Sequence, residues 1–212
     1  TSPMIEKVAQ SWSRSWLAAA GVTIDVRANE DLDRGRPYVV VANHESFVDI
    51  LLISHLPMEM KWLSKAEFFK IPLVGWMMKL ATDIPVRRGE RESAIEALRQ
   101  CRIRLDRKVS VMIFPEGTRS RGGELLPFKD GAFRLAIEAG VPVLPIVVAG
   151  TRHAMAKGSF RFQHARAAVR VLEPVETTGM TLEDVPRLRE QVRSLIDGAR
   201  RELAQERGVD AP

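Results

Sequence analysis

The segment Asn43-His44-Glu45-Ser46-Phe47-Val48-Asp49-Ile50 carries a histidine and an aspartate five residues apart. An imidazole with one nitrogen held as N–H by a carboxylate keeps its other nitrogen free as a base. This is half of a hydrolase triad, lacking the nucleophile. Residues five apart do not share a face of a regular helix. His44 and Asp49 therefore meet only if His44 lies in the turn before a helix and Asp49 in its first turns, with Ser46 the candidate N-cap. A purely structural reading, a histidine bonded to a helix-starting aspartate, fits the dyad equally well. Other catalytic readings fare worse. A zinc-protease pattern needs a second histidine where Val48 stands, and no Gly-x-Ser-x-Gly elbow occurs. Cys101 shares an apolar helical stripe with Ile95, Leu98 and Leu105 and reads as core packing. If His44 is a base, its nucleophile arrives with the substrate as an alcohol.

Phe114-Pro115-Glu116-Gly117-Thr118-Arg119-Ser120 follows the apolar run Val109–Phe114. Pro115 stops a strand ladder and Gly117 permits a sharp turn. Arg119 offers a planar fork suited to phosphate, with Thr118 or Ser120 as neighbouring donors. Lys65, Arg87, Arg88, Arg121 and Lys129 supply further cations that a phosphate site would need close together, although each alone suits a solvated surface. Between residues 57 and 80, Met58, Met60, Trp62, Phe68, Trp76 and Met77 alternate with lysines. That mixture fits a membrane interface or acyl-chain lining and equally fits core helices with snorkelling lysines. Trp12 and Trp16 carry the same two readings.

The elements that must position these residues follow from periodicity. Ile5, Val8, Trp12 and Trp16 recur at helical spacing up to Gly21, and Val22–Ala28 alternates as a strand. Tyr38–Ala42 is a buried strand, Phe47–His55 helix-like, and a short strand surrounds 61–63. Residues 65–80 read as a helix interrupted by Pro72, followed by the strand Ile84–Val86. A helix over 90–105, the strand Val109–Phe114, a helix over 130–139 and strands over 143–150 and 167–173 come next. A final amphipathic helix presents Val185, Leu188, Val192, Leu195, Ala199 and Leu203, opened by a capping box of Thr181 and Asp184. Strands alternating with helices predict an α/β domain, a largely parallel mixed sheet flanked by helices.

At 212 residues the chain has room for one full core. Its net charge of +5 favours anionic partners without choosing among membrane, nucleic acid and phosphorylated substrate, and no nucleic-acid recognition motif supports the second. One cysteine excludes an intramolecular disulfide, and no apolar run is long enough to span a bilayer.

NHESFVD, the stretch from SKAEFFKIPLVGW to IPVRR, FPEGTRS and VPVLPI stand in the order of the four motif blocks of the glycerolipid acyltransferases. The chain resembles that family, in particular its bacterial lysophosphatidic acid acyltransferases, over roughly Val22 to Leu172. The resemblance implies a short N-terminal amphipathic helix over 1–21, a candidate membrane contact, and an acyltransferase domain over 22–212. It implies His44 as general base and Asp49 as its orienting partner, acting on an acceptor hydroxyl that attacks acyl-CoA or an acyl-carrier protein. Glu116, Gly117, Thr118 and Arg119, with Lys65 and Arg88, match the phosphate-binding positions. Pro142 and Pro145 match the block that shapes the cleft. No metal or resident cofactor is expected. The partners implied are a lysophospholipid, the acyl donor and the cytoplasmic face of a membrane, reached peripherally or through a segment absent from this chain. The second block departs from the family pattern at Ala81-Thr82-Asp83 and at Arg87, which leaves open whether Arg87 or Arg88 faces substrate. Glycerol 3-phosphate, another lysophospholipid or an amino-acid lipid are alternative acceptors, and a non-catalytic lipid-binding protein is the alternative class.

Overall fold

The computed structural model describes residues 3–120, 124–155 and 161–206, residues 3–9 as backbone only. Helix α1 (Pro3–Ala19) leads into β1 (Val22–Arg27). Strand β2 (Val39–Ala42) is followed by the short α2 (Val48–Ile53), β3 (Met60–Lys65), a 3-10 turn over Ala66–Lys70, α3 (Val74–Leu80) and β4 (Ile84–Val86). Then come α4 (Arg91–Asp106), β5 (Ser110–Ile113), α5 (Gly131–Ala139), β6 (Val143–Ala149), α6 (Thr151–Ala154), β7 (Ala165–Val171) and α7 (Val185–Glu206).

The seven strands form one mixed sheet in the order β1-β7-β6-β2-β5-β3-β4. Pairing is parallel except between β6 and β7. The central strands β2, β5 and β6 are buried at every position, which is why they read as unbroken apolar runs rather than alternating ones. Side chains alternate across the sheet, so Val39 and Val41 join a core with α4, α5 and α7. Val40 and Ala42 join a second core with α1 and α2 on the opposite face.

Strands β2, β3, β4, β5 and β6 run in one direction, so the segments leaving them emerge along one edge of the sheet. The chain leaving β2 enters α2 on one face, and the chain leaving the adjacent β5 reaches α5 on the other. A crevice opens where neighbouring connections part in this way.

Several local expectations are revised. The 65–80 segment is not a kinked helix: Lys65 closes β3, a 3-10 turn follows, and Leu73 at φ 65° separates it from α3. Phe47 rather than Ser46 takes the N-cap position of α2. The Ser46 hydroxyl still accepts from Val48 N–H at 3.2 Å while donating to the Met155 carbonyl at 2.7 Å. On α7 the buried stripe runs through Ile196, and Leu195 is exposed. The Thr181–Asp184 capping box is present, closing a 3-10 turn that leads into α7. Ser13 and Leu17 face the core from α1, whereas Trp12 and Trp16 are exposed. Among the described residues no helix is long and apolar enough to cross a membrane.

Candidate active site

His44 stands two residues past the end of β2, in the turn before α2, and Asp49 lies in the first turn of that helix. Asp49 Oδ2 accepts from the backbone N–H groups of Glu45 at 2.7 Å and Ser46 at 2.8 Å, and lies 2.8 Å from His44 Nδ1. Bonds to a charged acceptor contribute about 1.5–3 kcal/mol each and offset much of the several kcal/mol that burying a carboxylate costs, while Oδ1 is buried without a hydrogen-bond partner. With Oδ2 accepting, Nδ1 is the nitrogen that donates to it. The imidazole stacks on Phe114, centroids 3.9 Å apart and planes 12° from parallel. Phe114 follows β5 directly, and adjacent strands lie about 4.8 Å apart, so two strand ends deliver ring and platform to one place.

Glu116 is buried and bridges the turns. One oxygen accepts from His44 N–H at 2.7 Å and the other from Leu126 N–H at 2.9 Å. Ser120 N–H donates to the His44 carbonyl at 2.9 Å, a second hydrogen bond between the turns. Burial pushes the Glu116 carboxyl up to about 7, against the pull of the two N–H groups. Gly117 holds φ 70° and packs so closely on Lys129 that a Cβ there would stand 2.8 Å from the Lys129 ammonium nitrogen.

The cations sort themselves. Arg87 pairs with Glu90 at 2.6 Å on the surface. Partial burial, and then the positive charge of Arg119, press the Arg88 guanidinium below its ordinary value. Arg88, leaving β4, therefore lies within electrostatic reach of Arg119, beyond β5. Lys65, at the end of β3, lies 3.4 Å from Glu67. Arg121 lies outside the described residues.

A family model described as acyltransferase matches residues 23–149. The chain belongs to the acyltransferase family. It is 37% identical over 186 residues to the human 1-acyl-sn-glycerol-3-phosphate acyltransferase alpha, covering 87% of this chain and 66% of the human one. A chloroplastic 1-acyl-sn-glycerol-3-phosphate acyltransferase of Brassica napus is 41% identical over 136 residues, covering 64% of this chain and 40% of its own. The chain thus spans just under two thirds of the human relative and less of the plant one. The crystal structure of the 1-acyl-sn-glycerophosphate acyltransferase PlsC from Thermotoga maritima superposes with a TM-score of 0.82 at 31% identity, over 93% of this chain and 79% of that one.

Within this family member the structure brings His44, Asp49, Glu116 and Gly117 together at the ends of β2 and β5, with Thr118 and Arg119 following. It does not bring Pro142 to them. Pro142 precedes β6, where its carbonyl accepts Val39 N–H at 3.1 Å. That is the far edge of the sheet, about 16 Å of strand from His44. Pro145 is buried within β6 opposite Val41. Three contributors escaped the sequence reading. Asn43 donates to the Val148 carbonyl and accepts from its N–H, both at 2.9 Å, so its amide splices the end of β2 onto β6. Phe114 is the platform under the His44 ring. Glu45 is buried, and burial first, then the Asp49 charge, pushes its carboxyl up to about 8, opposed by Arg200 and Arg152. Only the place of Asn43, just before His44 at a strand end, offered a signal.

Proposed function

We propose that this chain transfers a fatty acyl group from acyl-CoA or an acyl-carrier protein to the free hydroxyl of 1-acyl-glycerol 3-phosphate, giving phosphatidic acid at the cytoplasmic face of a membrane. The observation that carries this reading is His44 Nδ1 held 2.8 Å from a buried Asp49 oxygen that also takes two backbone N–H groups. That bonding fixes the tautomer and aims a basic Nε2 away from the carboxylate. Two candidate protein nucleophiles, Ser46 and Cys101, are unsuited to the task. The Ser46 hydroxyl donates to a backbone carbonyl, and burial pushes the Cys101 thiol up to about 12. The base serves a bound alcohol instead. Nε2 takes the proton of the acceptor hydroxyl as its oxygen bonds to the thioester carbonyl carbon. Collapse of the tetrahedral intermediate breaks the carbon–sulfur bond, and the departing thiolate takes the proton back from Nε2. Acyl-CoA or the carrier protein is a co-substrate, and the scheme needs no resident cofactor.

Arg119 and Arg88, two cations within electrostatic reach of each other, suit the phosphate of the acceptor, with Lys65 at the end of the neighbouring strand β3. The names of the relatives support the same acceptor. The test is a product assay offering lysophosphatidic acid and glycerol 3-phosphate against both donor classes. Phosphatidic acid formed from the first acceptor is the expected result, and acylation of glycerol 3-phosphate alone would replace this reading. His44→Ala should lower turnover by about 10²–10⁴-fold with folding retained, and near-wild-type turnover would defeat the mechanism. Arg119→Ala should chiefly raise KM for the phosphorylated acceptor. An effect confined to the acyl donor would contradict its assignment.

A further inference from the structure

Between β3 and β4 the chain turns through the 3-10 segment and α3 and presents an unusual surface. Leu73 is 67% exposed, Trp76 62%, Leu80 48%, Ile71 44% and Val74 37%. Exposed apolar side chains scattered singly need no explanation, whereas five within ten residues mark a contact surface. Lys70 and Lys79 flank them and are exposed too.

The backbone is built to hold this tip. Val74 N–H donates to the Pro72 carbonyl and Gly75 N–H to that of Ile71, each at 2.8 Å. A Cβ at Gly75 would stand 2.2 Å from the Phe69 carbonyl oxygen, so only glycine lets α3 fold back so closely on the 3-10 turn. Leu73 occupies the left-handed region at φ 65°, a conformation that favours glycine, and yet presents a leucine to solvent. Strain kept in a bulky, exposed residue is characteristic of functional surfaces.

Position gives the tip its meaning. Strands β3 and β4 run parallel to β2 and β5, so the tip rises from the sheet edge that carries His44 and Glu116, and the chain returning through β4 leads to Arg88. We propose that the tip over residues 70–80 is a docking surface for an anionic lipid bilayer. Apolar side chains with a tryptophan enter the interface while the lysines meet lipid phosphates. An apolar wedge rimmed by lysines, on a chain of net charge +5, matches that partner in both polarity and sign. Docked this way, the crevice edge lies against the membrane, and a lysophospholipid can enter laterally. This last point alone rests on the acceptor proposed above.

The test separates docking from catalysis. Wild type and the double variant Leu73→Glu/Trp76→Glu are floated with phosphatidylcholine vesicles, with and without phosphatidylglycerol, in the absence of lysolipid. Turnover is measured separately on a short-chain lysophosphatidate kept monomeric, and thermal melts check the fold. Wild type should float with the anionic vesicles and the variant at least about tenfold less, while turnover of the monomeric acceptor stays within about twofold, since exposed substitutions perturb the fold little. A wild type that does not float overturns the proposal. So does a variant that floats as wild type does, which would move docking to another surface such as Trp12 and Trp16. A variant equally impaired on the monomeric acceptor would make the tip part of the site. A change in oligomeric mass would make it an interface between copies. Flotation reports even if lysophosphatidate is not the acceptor, so failure of one reading is not failure of the other.

Discussion

Both oxygens of Glu116 accept backbone N–H groups, one of them that of His44. A side chain so engaged does not need to touch a phosphate to matter, and the like charge would repel one. Its bonds suit a positioning role, setting the turn that carries His44, the base proposed above. Glu116→Gln keeps the shape but turns one acceptor into a donor facing an N–H, leaving about 1–3 kcal/mol of hydrogen bonding unmet. The expected outcome is a fall in kcat with KM for the acceptor nearly unchanged, and steady-state kinetics on the variant decide it. A rise in KM alone would return Glu116 to substrate binding. Arg119→Ala should show the opposite split, so the two variants calibrate each other.

At the scale of elements, the turn carrying His44 is held from behind by α6. The Ser46 hydroxyl donates to the carbonyl of Met155, at the end of that helix. Helix α6 can start where it does only because Gly150 takes φ 80° with the carbonyl oxygen of Arg166 against it, where a Cβ would stand 2.1 Å away. Gly150→Ala must therefore shift either the end of β6 or the antiparallel β7. A cost of about 2 kcal/mol or more is expected, read as a lowered denaturant midpoint, with turnover at permissive temperature also reduced. An unchanged midpoint would mean that this edge of the sheet yields freely.

At the scale of the whole molecule, the ends of β2 and β5 gather acidic groups into a buried space. Burial pushes Glu45 from 4.5 up to about 8 and Glu116 to about 7. In the window between the unfolded and folded values, the folded chain binds protons that the unfolded chain has released. Stability therefore falls as pH rises through that window, the reverse of the usual salt-bridged carboxylate. Glu45→Gln removes one of these groups without changing its size. Melting temperatures measured from about pH 5 to about pH 8 should decline less steeply in the variant, which should be more stable at the alkaline end by about 1–3 kcal/mol. Parallel curves for the two proteins would show that Glu45 does not titrate there.

The sequence by itself determined the class of fold and the pairing of His44 with Asp49. A histidine and an aspartate five residues apart can meet only across a helix start, so the spacing of His44 and Asp49 already contained their geometry. The apolar runs around β2, β5 and β6 already marked strands buried on both faces. Their regularity made them legible, because local periodicity and local sterics decide such features. Other features depend on neighbours distant in the chain. Whether Arg87 or Arg88 comes within electrostatic reach of Arg119 depends on the direction in which β4 delivers them. Pro142 is far from the crevice because β6 runs parallel to β2 and begins at the other edge. Trp12 and Trp16 face outward, while Ser13 and Leu17 pack inward, because α1 meets α2 and β1 on that side. Burial, strand order and the choice among like residues are properties of contacts between segments, and only the tertiary structure brings those segments together.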